Sequence, residues 1–361
     1  MTSKNEIFMN QGQVNIVGLG LIGSSLAKAL RNRGWHVSGT DIDLERLNQA
    51  KQAQIIDSTK INPLAELSFI ATPVSSVVEQ AQILLSYGGI VSDVGGVKEN
   101  ITKSIKNPLF IGGHPMAGSE QEGLQGMDPN LFIGATWVLT PKDETDPDGY
   151  ARLRSVIGSL GAEIIELSPA RHDELVAIVS HVPHLTAATL MTLAAQGSSN
   201  DSLLLKLAAG GFRDMTRIAA GSPQIWPDIC NDNRSAIVSG LEALIESLDK
   251  MKEIVSNRQQ DKLLEILTQA KEARRALPIK KVEKAESLVE VKIAVPDRPG
   301  VLAEVTRLAS DLGVNIEDLE IAHSVEGEKG VLSLIIDAKD SQIFKTALTV
   351  RNYHPIISPL V

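Results

Sequence analysis

The residues best placed to do chemistry in this 361-residue chain sit in three short polar blocks. Gly112-Gly113-His114-Pro115-Met116-Ala117-Gly118-Ser119-Glu120 holds a histidine between two glycines, which admit a close neighbour, and a proline, which stiffens the turn. Ser180-His181-Val182-Pro183-His184 holds two more histidines, and Gly210-Gly211-Phe212-Arg213-Asp214-Met215-Thr216-Arg217 holds two arginines around an aspartate. A neutral imidazole, with a pKa of ~6.5, can take a proton from a hydroxyl near neutral pH. A planar guanidinium matches a carboxylate through two parallel hydrogen bonds. A base and an anion clamp suit the oxidation of an alcohol that carries a carboxylate. They need a hydride acceptor beside them.

The start of the chain supplies a place for one. Gly18-Leu19-Gly20-Leu21-Ile22-Gly23 follows the apolar strand Val14 to Val17 and opens a helix, the context a dinucleotide-binding turn requires. Gly18 permits the tight turn, Gly20 lets backbone approach a pyrophosphate, and Gly23 lets the helix pack on the strand. The helix start, with Leu21 and Ile22, faces the phosphates with free N–H groups. Asp41 ends the second strand, where a carboxylate accepts from the adenosine ribose hydroxyls and repels a 2′-phosphate. NAD is therefore expected, although Arg46 is close enough to keep NADP open. Thr72 and Pro73, after Phe69-Ile70-Ala71, mark another sheet edge that either touches the cofactor or simply ends a strand.

Among the histidines, His114 is the candidate base, with a purely structural role the alternative. Pro183 interrupts a helix and leaves free carbonyls and a kink beside His181 and His184. His181 reads as a satisfied structural histidine. No cluster of His and carboxylates has metal-ligand spacing, so no metal is expected. Arg217 lies three residues after Asp214, which can orient it. A surface ion pair is the plainer alternative.

These residues need elements to hold them. Short apolar strands at 14–17, 35–39, 67–71 and 89–93, separated by helical segments such as 21–33, imply a parallel sheet with helices on both faces. Residues 1–170 are read as this Rossmann-type domain. From 171 to 276 the pattern is helical. Ile237, Leu241, Leu244, Ile245, Leu248, Met251 and Ile254 keep helical spacing over five turns, as core or as a dimerisation surface. Residues 277–287, rich in both charge signs, read as a linker. From 288 to 361 the order βαββαβ implies a small ferredoxin-like sheet, with Pro299 in the first turn of its first helix and Gly313 past its end.

The bulk numbers bound the function. A hydrophobic content of 43% with 22% charged residues is ordinary for a globular protein. A net charge of −9 argues against binding a phosphate backbone. The single cysteine, Cys230, excludes an internal disulfide and reads as a buried thiol. No run of about 20 apolar residues is evident, and the first 13 residues lack the layout of a signal peptide, so a cytoplasmic protein is expected.

The glycine fingerprint and the three polar blocks, in this order, resemble the prephenate dehydrogenase family. The Pro296 to Leu302 turn and the Gly313-Val314-Asn315-Ile316 stretch resemble an ACT domain, an amino-acid-sensing module. The resemblance implies NAD-dependent oxidative decarboxylation of prephenate, or of arogenate, by a homodimer. It places His114 as acceptor for the substrate's ring hydroxyl, His184 at the substrate, and Arg217 on a substrate carboxylate. It adds Ser119 as a substrate contact, Glu120 as a gate or orienting group, and Trp226 as a residue reaching a neighbouring subunit's site, with core packing the alternative. For the C-terminal domain it suggests feedback by L-tyrosine or another amino acid near Asp297, Arg298, Gly300, Val301, Leu302, Asn315 and Ile316. There is one departure. Gly96, in Asp93-Val94-Gly95-Gly96-Val97-Lys98, stands where many members carry a serine that bonds both histidine and substrate. A silent, amino-acid-sensing protein is the reading that this glycine favours.

Overall fold

In a computed structural model, residues 12–118, 123–198, 203–277, 288–296, 298, 300–323 and 329–359 are described. Ser119, Glu120, Asp297 and Pro299 lie outside them. The chain forms two compact units, 1–256 and 257–361.

The first unit is built on strands β1 (Gln13–Val17), β2 (His36–Thr40), β3 (Leu67–Ile70), β4 (Ile90–Asp93), β5 (Phe110–Pro115), β6 (Thr136–Thr140) and β7 (Glu163–Glu166). They form one sheet in the order β2-β1-β3-β4-β5-β6-β7. All neighbours run parallel except β5 and β6. The central strands are buried on both faces, as near-continuous apolar runs require in a parallel sheet. Helices α1 (Leu21–Arg31), α2 (Leu44–Gln52), α3 (Val74–Leu85), α4 (Glu99–Ser104) and α5 (Pro147–Ser159) connect them. Gly34, at φ +87°, turns the chain just after α1.

Strand β5 is longer than the apolar run Leu109 to Ile111 suggests. It pairs with β4 only at Phe110 and Ile111, then continues by pairing with β6, His114 opposite Val138 and Pro115 opposite Trp137. His114 thus lies within a strand, not in the loop after one, and is fixed by antiparallel pairing to a strand the sequence pattern did not signal.

The helical part follows β7. Helix α6 (Pro169–Val176) is capped by Ser168 Oγ accepting from the Arg171 N–H, runs into a π turn at Ala177–His181, and continues as α7 (Val182–Ser198). The irregularity expected at Pro183 lies one turn earlier. Proline is tolerated in the first turn of a new helical segment, and the extra residue of the π turn absorbs the offset. Together, Pro169–Ser198 has the length and apolar composition of a membrane span, which the sequence reading did not anticipate; only a minority of that span is buried. Then come α8 (Gly210–Thr216), α9 (Trp226–Asp232) and α10 (Arg234–Ser256). Along α10, Ile237 is buried, but Ile245 and Leu248 face solvent in the single chain.

The second unit holds α11 (Gln260–Arg275) and the order β8 (Leu288–Pro296), α12 (Val301–Asp311), β9 (Ile316–His323), β10 (Lys329–Asp337), α13 (Ser341–Val350) and β11 (Ile356–Pro359). The antiparallel sheet runs β11-β8-β10-β9, the ferredoxin-like arrangement. Helix α12 starts after Gly300, at φ +90°; the first-turn role expected of Pro299 falls on a residue outside those described.

Candidate active site

At the C-terminal ends of β1 and β3, backbone dominates. Gly18 takes φ +91°, and a Cβ there would sit 2.4 Å from the Ala71 carbonyl oxygen. A Cβ on Gly23 would sit 1.9 Å from the Gly18 carbonyl oxygen, so the helix packs on the turn only with hydrogen at that position. Among the described residues, nothing lies within 4 Å of such a Cβ on Gly20, and its open face looks into a cleft. Asp41 accepts a 2.7 Å bond from the Leu19 N–H, which ties the glycine turn to the end of β2. Arg46 lies 3.3 Å from both Asp41 oxygens and also bridges to Asp43.

The cleft, about 770 Å³, lies between the sheet edge and the helical part. Gly20, Leu21, Ile22, Thr72 and Pro73 line one side; His184, Arg217 and Trp226 line the other, with Gly96 and Gly118 between. The fold thus brings part of the expected cofactor site and His184, Arg217 and Trp226 of the expected substrate site onto one cavity, while Gly18, Gly23, Asp41 and His114 are not among its lining residues. Thr72 is further fixed by the Ser76 hydroxyl at 2.9 Å. Asp214 is exposed on α8 and is not among the cleft's lining residues. Trp226 stacks on His184 of its own chain, ring centroids 3.8 Å apart and 17° from parallel. Partial burial holds His184 below the ordinary histidine value.

His114 is half-buried at the end of β5. Its Nε2 would lie 3.8 Å from a Cβ on Gly96, so this nitrogen faces the glycine turn that lines the cleft. Its Nδ1 lies 2.8 Å from Nε2 of His172, a fully buried residue of α6. His172 Nδ1 in turn lies 2.6 Å from Asp173 Oδ1. Burial, reinforced by His172, Lys98 and His181 nearby, holds His114 well below the usual histidine range. The ring is therefore neutral at pH 7 and able to accept a proton.

Two buried carboxylates brace this end. Asp93 pairs with Lys98, both fully buried, and accepts from the Gly95 and Gly113 N–H groups. Asp173 accepts from the Lys98 and Glu99 N–H groups, at 2.8 and 2.9 Å, where α4 begins. Asn233 donates to the Asp173 carbonyl and lies 3.2 Å from His181 Nδ1. Burial is the main force pushing His181 down to about 4, against a smaller upward pull from Asp173. His181 is the satisfied structural histidine its sequence suggested. No cluster of three His, Cys, Asp or Glu able to hold a metal exists among the described residues.

The family described as "Prephenate dehydrogenase, nucleotide-binding domain" matches residues 26–166, and "Prephenate dehydrogenase, dimerization domain" matches 168–269. "ACT domain" matches 289–352. A prephenate dehydrogenase of Bacillus subtilis is 31% identical over 352 residues, 92% of this chain and 95% of that one. The chain belongs to the prephenate dehydrogenase family. Among solved structures, the prephenate dehydrogenase of A. aeolicus in complex with hydroxyphenyl propionate and NAD+ superposes with a TM-score of 0.70 at 31% identity, over 75% of this chain and 99% of that one. The arogenate dehydrogenase of Synechocystis gives 0.63 at 34%, over 73% and 98%.

As a member of the prephenate dehydrogenase family it is an NAD-dependent oxidoreductase. The glycine fingerprint precedes the matched range, and the structure supplies the fit there. Hydrogen alone at Gly18 and Gly23, the open face of Gly20 and the anchored Asp41 suit a dinucleotide. Backbone at Gly18 to Gly23 would hold the pyrophosphate and Asp41 the ribose, and bound NAD supplies the hydride acceptor.

The sequence reading missed Lys98, His172, Asp173 and Asn233. His172-Asp173 is an unremarkable dipeptide early in a helix, and only the fold carries it 58 residues back to His114. In the ACT domain, Val301 is buried and Ile316 packs against the core, so both serve the fold first. Arg298 pairs with Glu304 at 2.9 Å, and Asn315 donates to Glu317 at 2.6 Å. Leu302 is partly exposed.

Proposed function

We propose that this protein oxidatively decarboxylates prephenate to 4-hydroxyphenylpyruvate, with NAD as hydride acceptor. The observation that carries the reading is the single cleft lined by the Gly20 turn, Gly96, His184 and Arg217, with His114 Nε2 turned toward Gly96.

In this reading His114 Nε2 takes the proton of the ring hydroxyl while hydride leaves the same carbon. The ring ketone so formed is conjugated to the carbon bearing the carboxylate. The bond to that carboxylate breaks, CO2 leaves, and its electron pair makes the ring aromatic. Arg217 grips a substrate carboxylate, and the His184–Trp226 stack walls the ring pocket. Aromatisation drives the reaction, so the protein's work is positioning and charge. Ser119 and Glu120 belong to the same proposal on the family resemblance alone. The exposed apolar side chains Ile178 and Val179 of the π turn and Val238, Ile245, Leu248 and Val255 of α10 fit a homodimer. An amino acid such as L-tyrosine is proposed to act on the ACT domain, and the cytoplasm is the proposed location.

The test is NADH formation with prephenate and then arogenate, in wild type and His114→Asn. Prephenate turnover is expected, reduced about 10²–10⁴-fold in the variant with NAD binding intact. Turnover of arogenate alone moves the substrate and keeps the mechanism. No turnover of either refutes the reading and favours the silent sensor that Gly96 suggested.

A further inference from the structure

We propose that His172 and Asp173 are positioning residues that fix His114 in the tautomer with a free Nε2. The inference rests on His114 being the base, as proposed above.

The hydrogen-bond chain dictates the protons. Asp173 is held at the start of α4 by two backbone N–H groups and presents Oδ1 to His172 Nδ1 at 2.6 Å. A carboxylate can only accept, so His172 carries its proton on Nδ1. In the neutral ring Nε2 then holds the lone pair. It lies 2.8 Å from His114 Nδ1, which must be the donor. His114 Nε2 is left unprotonated, on the side facing Gly96. Without a partner, a neutral imidazole exchanges between two tautomers, and the one with its proton on Nε2 cannot act as a base toward the cleft.

The surroundings make the arrangement costly to leave. His172 and Asp173 are almost fully inaccessible to solvent, so no bulk water replaces either partner. The rings of His114 and His172 meet edge to face, 5.1 Å between centroids, which fixes the angle of the base as well as its protons. The groups bearing on His114 are His172, Lys98 and His181, and the positive charge of Lys98 is spent on Asp93.

The experiment combines side-chain ¹⁵N NMR of the free protein with kinetics. In wild type, His114 is expected protonated at Nδ1 and bare at Nε2; a proton on Nε2 overturns the proposal, whatever the variants do. In His172→Phe the Nε2-protonated form appears, kcat falls about 10–10²-fold, part of the full contribution of a base, and KM stays within about twofold. His172→Gln, whose side-chain oxygen can accept from His114 Nδ1, restores most of the rate and the original tautomer. A His172→Phe protein with wild-type kcat, pH profile and His114 tautomer refutes the idea. A wild type that turns over neither prephenate nor arogenate defeats the proposed function, while the NMR result still decides the tautomer.

Discussion

The two ends of the cleft are built in opposite ways. The cofactor end is made of main chain: three glycines, a strand terminus and one carboxylate bonded across 22 residues. The base end is made of buried side chains joined across 58, 60 and 75 residues. Backbone sites tolerate change in side chains but not an added atom. Side-chain networks tolerate neither the loss of a partner nor its protonation, because a buried polar group left unpaired keeps its full desolvation cost.

The harshest test of this contrast is Gly23→Ala. The added carbon would meet the Gly18 carbonyl oxygen at 1.9 Å, and both atoms belong to the turn that faces the pyrophosphate. The turn must shift, and overpacking of this kind costs about 1–3 kcal/mol in stability. NAD affinity is expected to fall below detection by calorimetry, while the His114 tautomer is unchanged. An alanine variant that binds NAD normally would show that backbone shape is not what makes this end.

Acid should act on the other end. His181 is pushed down to about 4 in the folded protein, against ~6.5 unfolded. The unfolded chain therefore binds the proton more readily, and stability is lost as pH falls from ~6.5 toward 4, by up to about 3 kcal/mol. His114, also held low, contributes in the same direction. Urea unfolding at pH 7.5 and pH 4.5 checks this, with His181→Gln expected to flatten the slope. Equal stability at the two pH values would mean that the histidine cluster is more hydrated than its burial implies.

The same contrast explains what could be read in the sequence. Gly18, Gly20 and Gly23 lie within six residues, and their spacing is itself the geometry. The helical periods and the βαββαβ order were legible because each is a local pattern. His114 stood out through its glycine and proline neighbours. Its partners did not. His172, Asp173, Lys98 and Asn233 carry no periodic mark, and the place of His114 is set by β6 extending β5, which composition does not signal. Asp214 is a different case: its spacing from Arg217 suggested a shared site, and in the single chain it is exposed and not among the residues lining the cleft.

The smallest expected effect lies where the two ends meet. Gly96 belongs to the main-chain turn yet faces the base, and its φ lies outside the left-handed region. Among the described residues, a Cβ there would touch only the His114 ring, at 3.8 and 3.9 Å, which is ordinary contact. Gly96→Ser therefore fits without strain and brings a hydroxyl within reach of His114 Nε2. That hydroxyl can donate to Nε2 and accept from the substrate, or it can occupy the lone pair the substrate hydroxyl needs. The first arrangement passes the proton through serine and raises kcat/KM a few-fold; the second lowers it by a similar factor, each near 1 kcal/mol or less for one neutral hydrogen bond. Steady-state rates of Gly96→Ser beside Gly96→Ala separate the two, because alanine fills the same space without a hydroxyl. If alanine and serine change kcat/KM equally, the glycine matters for room and not for the missing hydroxyl, and the base end depends on His172 and Asp173 alone for the orientation of His114.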